Sequence, residues 1–244
     1  MLINLKKITF LDIETVPATE KFVDLSPELA YLWTEKFNVL CKRLPEKYAD
    51  DATPAQGYET SAGIYSEFGK IICISVGFIH ITDKKQTLRV TSFAGDDELQ
   101  ILKDFSTLIT KITQKKGQML CGHNIKEFDV PYICRRMIIN ELPLPELLQL
   151  SGKKPWETPF LDTLELWKFG DAKNYISLKL LTTILGIPTP KDDIDGSQVA
   201  AVYYEEKNIQ RIVTYCQKDV VAVAQVYLKL NGLPAITDED IIFV

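Results

Sequence analysis

The run from Ile71 to Ile81 is apolar almost throughout, and a second β-prone run follows over 86–93 across the turn-like Thr82-Asp-Lys-Lys85. Two such runs around a short polar turn commit the middle of the chain to a hairpin, and therefore to a sheet. Residues 7–13 (Lys-Ile-Thr-Phe-Leu-Asp-Ile) read as an earlier strand, and Gln118–Cys121 and Pro159–Leu161 as shorter later ones. Helical patterns alternate with these and then take over. Asp96-Asp97-Glu98 opens an amphipathic helix running to about 113, its acids suited to a helix N-terminus. Further helices are expected at 129–139, with Pro131 in the first turn, and at 177–185, ended by Gly186-Ile-Pro188. The last two are expected at 197–206 and at 208–230, the latter ended by Asn231-Gly232. This order predicts an α/β fold, a mixed sheet flanked by helices.

Residues 18–66 fit the pattern least. A short helix over 26–37 starts at Ser-Pro-Glu, and a polar loop carrying Pro45, Pro54 and Gly57 follows. No repeat or linker divides the 244 residues, so the expectation is one domain over 1–244 with an irregular insertion at about 18–66. The five cysteines are odd in number, form no C-x-x-C pair, and lie partly in apolar runs. Reduced thiols in a cytoplasmic protein suit them better than a disulfide framework or a zinc ribbon. The N-terminus lacks the apolar core of a targeting segment, and Ile71–Ile81 is far too short to span a bilayer, so no membrane is expected. The net charge of −5 disfavours coating of nucleic acid by bulk electrostatics, but not a grip on a few phosphates through bound cations.

Three remote segments present acids where strands end or helices begin. In Phe10-Leu-Asp12-Ile-Glu14-Thr15 the two carboxylates share one strand face, while Leu11 and Ile13 take the other. Like charges held that close call for a cation, and a hard divalent ion with oxygen ligands answers. The D-x-E spacing alone is weak, since Asp96-Asp97-Glu98 repeats it at a helix start. In Gly122-His-Asn124-Ile-Lys-Glu-Phe128-Asp129-Val-Pro131-Tyr132, a strand passes through a loop into a helix. Asp129 there also fits an ordinary first-turn acid. In Tyr215-Cys-Gln-Lys-Asp219 the spacing of four places phenol and acid one turn apart. Standing alone, Asp219 would read as part of a solvated stripe with Glu205, Glu206 and Lys218.

Together the three segments resemble the DEDD exonuclease superfamily, of ribonuclease H-like fold, and most closely the stand-alone form of the proofreading exonuclease domain of family-B DNA polymerases. Phe68-Gly-Lys70-Ile-Ile-Cys-Ile-Ser-Val-Gly77 and Asp195-Gly-Ser197 also look like that group. The histidine variant of the superfamily places a His five residues before the last acid. Here that position is Thr214, and the chain's two histidines, His80 and His123, lie elsewhere. The tyrosine variant is the match.

The resemblance implies a 3′→5′ exonuclease acting on 3′ ends of single-stranded DNA or RNA with two divalent cations, Mg2+ or Mn2+. It implies metal ligands at Asp12, Glu14, Asp129 and Asp219, and a Tyr215 that orients the attacking water. Thr15, Asn124 and Phe128 would contact the terminal nucleotides, although Phe128 suits a core position equally well. His123 reads as a loop residue and Asp162 as an N-cap, and neither as a ligand. The pairs Lys115-Lys116, Arg135-Arg136 and Lys153-Lys154 read as solvated surface, and Tyr203-Tyr204, Trp156 and Trp167 as packing residues. The alternatives are an RNA-trimming enzyme of ribonuclease D type, a relative that binds nucleic acid without cutting it, and an unrelated Mg2+ enzyme acting on small phosphate esters. Protein partners are not readable from the chain.

Overall fold

The structure is a computed structural model that describes residues 4–48, 51–82, 85–171, 175–188 and 194–244. Its centre is a six-stranded mixed sheet in the order β5-β4-β1-β2-β3-β6. The expected hairpin is present as β2 (Gly69–Thr82) and β3 (Lys85–Ala94), antiparallel, while its turn residues Asp83 and Lys84 lie outside the described residues. The first strand, β1 (Ile8–Pro17), pairs antiparallel with β2 on one side. On its other side it pairs in parallel with β4 (Met119–Gly122), which in turn pairs in parallel with β5 (Phe160–Asp162). One strand was not foreseen. The three residues of β6 (Ile241–Phe243) add in parallel to the outer edge of β3, too short a run to leave a periodic signal.

Alternation along β1 divides its side chains between two cores. Leu11 and Ile13 pack on one face with α3 (Glu98–Thr113) and α4 (Asp129–Ile139). Ile8 and Phe10 pack on the other with Val220, Val223 and Tyr227 of α8 (Ile209–Leu230). On that second face Phe10 meets Tyr227 edge-on, with ring centroids 5.9 Å apart. Gly77 of β2 brings α8 close, because a Cβ there would stand 2.7 Å from Val220 Cγ1. Three shorter helices complete the molecule: α5 (Thr163–Lys168), α6 (Leu178–Ile184) and α7 (Val199–Tyr204). The expected helices at 177–185, 197–206 and 208–230 are α6, α7 and α8, within two residues at each end. The six residues of α5 went unread because a single turn and a half carries little periodicity. No helix among the described residues is long and apolar enough to cross a membrane.

The stretch 18–66 is more regular than its sequence suggested. The short helix is α1 (Pro27–Arg43), ending six residues later than expected, with Ser26 accepting from the amide of Leu29 at its start. The presumed polar loop holds another helix, α2 (Pro54–Ser61). Pro54 stands at its first position, where the missing N–H is no loss. Thr53 and Gln56 form a capping box around that start. The two helices enclose an aromatic core of their own, built on Trp33, Phe37, Tyr58 and Phe68. Trp33 is fully buried, meets Phe68 and Tyr58 edge-on at 5.2 and 5.5 Å, and donates its indole N–H to the carbonyl of Pro54 at 2.7 Å. Prolines and a glycine read as loop signals, whereas here they start a helix and make room for Phe37.

One of the basic pairs expected on the surface is half engaged in the interior. Arg136 on α4 donates from Nε and Nη2 to the two carboxylate oxygens of Glu98 on α3, at 2.8 and 2.6 Å. Glu98 also accepts from the backbone amide of Ile71 at 2.7 Å and from Asn140 at 3.0 Å. One carboxylate thus joins α3, α4 and β2. Glu98→Ala should lower unfolding free energy in urea by about 3–5 kcal/mol, since it strands a mostly buried guanidinium. A loss below about 1 kcal/mol would show that water replaces the carboxylate.

Candidate active site

The acids foreseen in three segments meet at the end of the sheet where β1 outruns β4. Strand β4 pairs only with Ile8–Phe10, so the rest of β1 projects beyond it. Asp12 and Glu14 sit on this projecting part, on the face that looks toward α8. A β-bulge follows at once, since Glu14 pairs with Cys73 but Thr15 with Ile71. The bulge increases local twist and re-aims the end of the strand.

Helix α8 completes the face. Cys216 and Val220 touch the sheet, and Tyr215 and Asp219 stand one turn apart beside that line. Cys216 Sγ approaches Asp12 Oδ2 at 3.3 Å and the Asp12 carbonyl at 3.5 Å. Asp129 arrives from the opposite face, at the first position of α4. Its carboxylate accepts from its own amide and from that of Ile13, a group that β4 does not reach.

Electrostatics bind the four acids into one cluster. Burial pushes the Asp12 carboxyl well above the usual carboxylate range, and Asp219, Glu14 and Asp129, in that order, push it further. Glu14 is raised by burial first, then by Asp219, Cys73 and Asp129. Burial raises Asp129 to about 7 against the pull of its two amide hydrogen bonds, with Asp162 and Asp219 adding to the rise. Glu14 is only 8% exposed, and none of the described residues donates a hydrogen bond to it. A buried carboxylate without a donor is costly unless it is protonated or faces a cation. Asp12, Glu14 and Cys216 each offer one ligand atom, and all three atoms lie within 4.8 Å of one another. The donor set therefore fits a divalent cation.

The remaining residues singled out in the sequence surround this cluster. Asp162 caps α5 through the amide of Leu164 at 3.0 Å. It also holds the loop after β4, through the amides of Asn124 at 2.9 Å and Lys126 at 3.2 Å. With its oxygens so engaged it acts as a clamp. Asn124 takes a left-handed backbone (φ 62°), which asparagine tolerates. His123 bridges Thr163 Oγ1 at 2.9 Å and the Ile176 carbonyl at 2.8 Å, a structural tie. Phe128 is half-buried, against the core beneath α4 and 5.5 Å from the ring of Tyr132. Thr15 is half-buried, and its hydroxyl bonds the phenol of Tyr132. Tyr203 and Tyr204 are tied down by Asp96 and the Pro17 carbonyl at 2.8 and 2.6 Å. Trp156, expected to pack, is 76% exposed beside Lys154, and Trp167 packs in part under α6. The sequence reading passed over Cys216 and Tyr132, since a lone cysteine and one more aromatic carry no spacing signal.

Residues 64–240 match the model of a family described as predicted 3′-5′ exonucleases related to the exonuclease domain of PolB. The chain belongs to this family. The matched span carries Asp129, Tyr215 and Asp219, while Asp12 and Glu14 precede it. No curated protein matches the chain significantly. For this PolB-exonuclease relative, the sheet flanked on both faces by helices is the α/β arrangement expected from the sequence. The family implies a nucleic-acid substrate, and the acid cluster is a candidate site for the divalent metals that exonucleases typically need.

Proposed function

We propose that this chain is a 3′→5′ exonuclease of the tyrosine variant, acting as a stand-alone enzyme in the cytoplasm. It removes nucleoside 5′-monophosphates from single-stranded 3′ ends with two divalent cations, Mg2+ or Mn2+. The observation that carries the reading is the convergence of acids from β1, α4 and α8 around a buried Glu14 that has no donor among the described residues. Asp12, Glu14, Asp129 and Asp219 would hold the ions. Once bound, divalent ions neutralise the carboxylates, make water more acidic and stabilise charge on the attacking and leaving oxygens.

The protein's own residues supply position. Asp12, buried among the other three acids, would be shared by both cations. Glu14 and Asp219 would complete the site whose ion acidifies the attacking water, and Asp129 would serve mainly the second ion. The water oxygen bonds to phosphorus as the bond from phosphorus to the 3′ oxygen breaks; the water's proton passes to solvent, and the departing 3′ oxygen takes one from solvent to become a hydroxyl. Tyr215, one turn from Asp219, orients that water by hydrogen bonding. A phenol with an ordinary pKa near 10 is a poor base at neutral pH. Tyr215→Phe should therefore cost about 10–100-fold in kcat, less than loss of a ligand, with the pH profile unmoved. A loss as large as that of the Asp12 variant would make the phenol part of the proton path.

Thr15, Asn124 and Phe128 line the approach. A base stacked on the open part of Phe128 gains about 1–3 kcal/mol with little sequence preference. The deciding assay offers 5′-labelled single strands, DNA and RNA matched in sequence, with Mg2+ or Mn2+. Stepwise shortening from the 3′ end, abolished by EDTA, supports the proposal. Shortening of RNA alone gives the ribonuclease D-type reading, retention without cutting gives the binding-only reading, and hydrolysis of free nucleotides in preference to strands sinks all three.

A further inference from the structure

Cys216 touches Asp12, and the proposed chemistry does not use it. Its thiol is fully buried and points into the same space as the acids, 3.3 Å from Asp12 Oδ2. The pair has the spacing of two ligands on one ion. With about 2.3 Å to sulfur and about 2.1 Å to oxygen, a tetrahedral ion separates its S and O ligands by about 3.6 Å. Right-angle coordination would separate them by about 3.1 Å. The observed distance falls between. Glu14 supplies the second, independent pointer, a residue more than nine-tenths buried whose carboxylate has no donor among the described residues and offers an oxygen within 4.8 Å of the same sulfur. Cys73 lies behind, close enough to hydrogen-bond Cys216, and is itself joined to Ser75 at 3.7 Å. It is absent from the triad.

We propose that Asp12, Glu14 and Cys216 form a site for thiophilic divalent ions, Zn2+ or Cd2+, overlapping the position where harder ions support cleavage. The inference rests on the exonuclease reading only for its consequence, competition with Mn2+. Mg2+ and Mn2+ prefer oxygen and leave the thiol protonated as a donor to Asp12. A soft ion displaces that proton to solvent and binds sulfur directly. Captured there, the soft ion draws Asp12 and Glu14 into a closed ligand set, and cleavage stops.

The test titrates metal-free protein with Cd2+ and follows the thiolate-to-metal charge-transfer absorption in the ultraviolet. Wild type should develop the band at one equivalent, as should Cys73→Ser, Cys41→Ser and Cys134→Ser. Cys216→Ser and Cys216→Ala should lack it and bind Cd2+ about 10–100-fold more weakly or worse. Two variants of different polarity guard against misfolding, and both should keep wild-type Mn2+ binding. A band that survives in both Cys216 variants, or never forms in wild type that binds Mn2+, overturns the proposal. The same preparation separates the two readings. Cleavage with Mn2+ but no Cd2+ band removes the sulfur site alone, whereas the band without cleavage of any strand removes the exonuclease assignment and leaves the site.

Discussion

Asp12→Asn leaves a folded protein that no longer shortens single strands, with kcat/KM lower by about 10³-fold or more. The size follows from position. Asp12 is buried among the three other acids and would be a ligand shared by the bound ions, so its loss should weaken their binding as a group. Charge stabilisation in a water-poor pocket is ordinarily the largest catalytic contribution, and single contributors there are worth about 10²–10³-fold. Asn is isosteric, and at Asp12 β1 is held by its pairing with β2, so circular dichroism should stay as in wild type and the metal-free urea midpoint should be no lower. Asp219→Ala should behave alike. Activity within about tenfold of wild type in either variant would take these acids out of the catalytic set, and with them the proposed arrangement of ions.

The second large effect concerns stability without metal. Burial and mutual repulsion hold Asp12 and Glu14 above their ordinary range, and Asp129 at about 7. A carboxyl raised in the folded state keeps its proton where the unfolded chain, titrating near 4, has lost it. Between pH about 4 and about 7 the folded protein therefore binds more protons, and its stability falls as pH rises. The metal-free melting temperature should decline from pH 5 to pH 8. Glu14→Gln should flatten part of that decline and melt about 2–8 °C higher at pH 8, taking 1–2 kcal/mol of relieved repulsion at about 2–4 °C per kcal/mol. Saturating Mn2+ should erase the decline in wild type, because ligand binding to the folded state alone adds about 2.7 kcal/mol at a hundredfold excess over Kd. Melting of wild type that is flat across this range, or parallel to the variant, would mean that the acids are hydrated and independent.

The sequence carried the sheet and the long helices because each is a periodic pattern. Alternation set Leu11 and Ile13 against Asp12 and Glu14, and the spacing of four set Tyr215 beside Asp219. It also carried the modest roles of Asp162 and His123, since an acid at a strand end before a helix has an evident local use. What it lacked were facts created by tertiary contact. Cys216 gains meaning only where α8 crosses β1. Arg136, one of a pair that looks solvent-facing, turns inward because Glu98 arrives from 38 residues away. The helix at Pro54 was obscured because breakers at a first turn resemble breakers in a loop. The amide of Ile13 is available to Asp129 only because β4 is short, a matter of strand length that no side chain announces.

Tyr132 gives the region before β2 a fixed relation to the pocket. Its phenol crosses Gly69, where a Cβ would lie 2.3 Å away, and donates to the carbonyl of Gly63 at 2.8 Å. Three residues earlier the same rod begins with the acid seated on the Ile13 amide. A single lever is thus pinned at one end to the reacting face and nearby to the aromatic annex, which leaves the sheet where β1 ends at Pro17 and rejoins it where β2 begins at Gly69. The annex cannot drift without tilting the lever. A change that loosens the annex should therefore reach the pocket through that lever as well as weaken the annex itself.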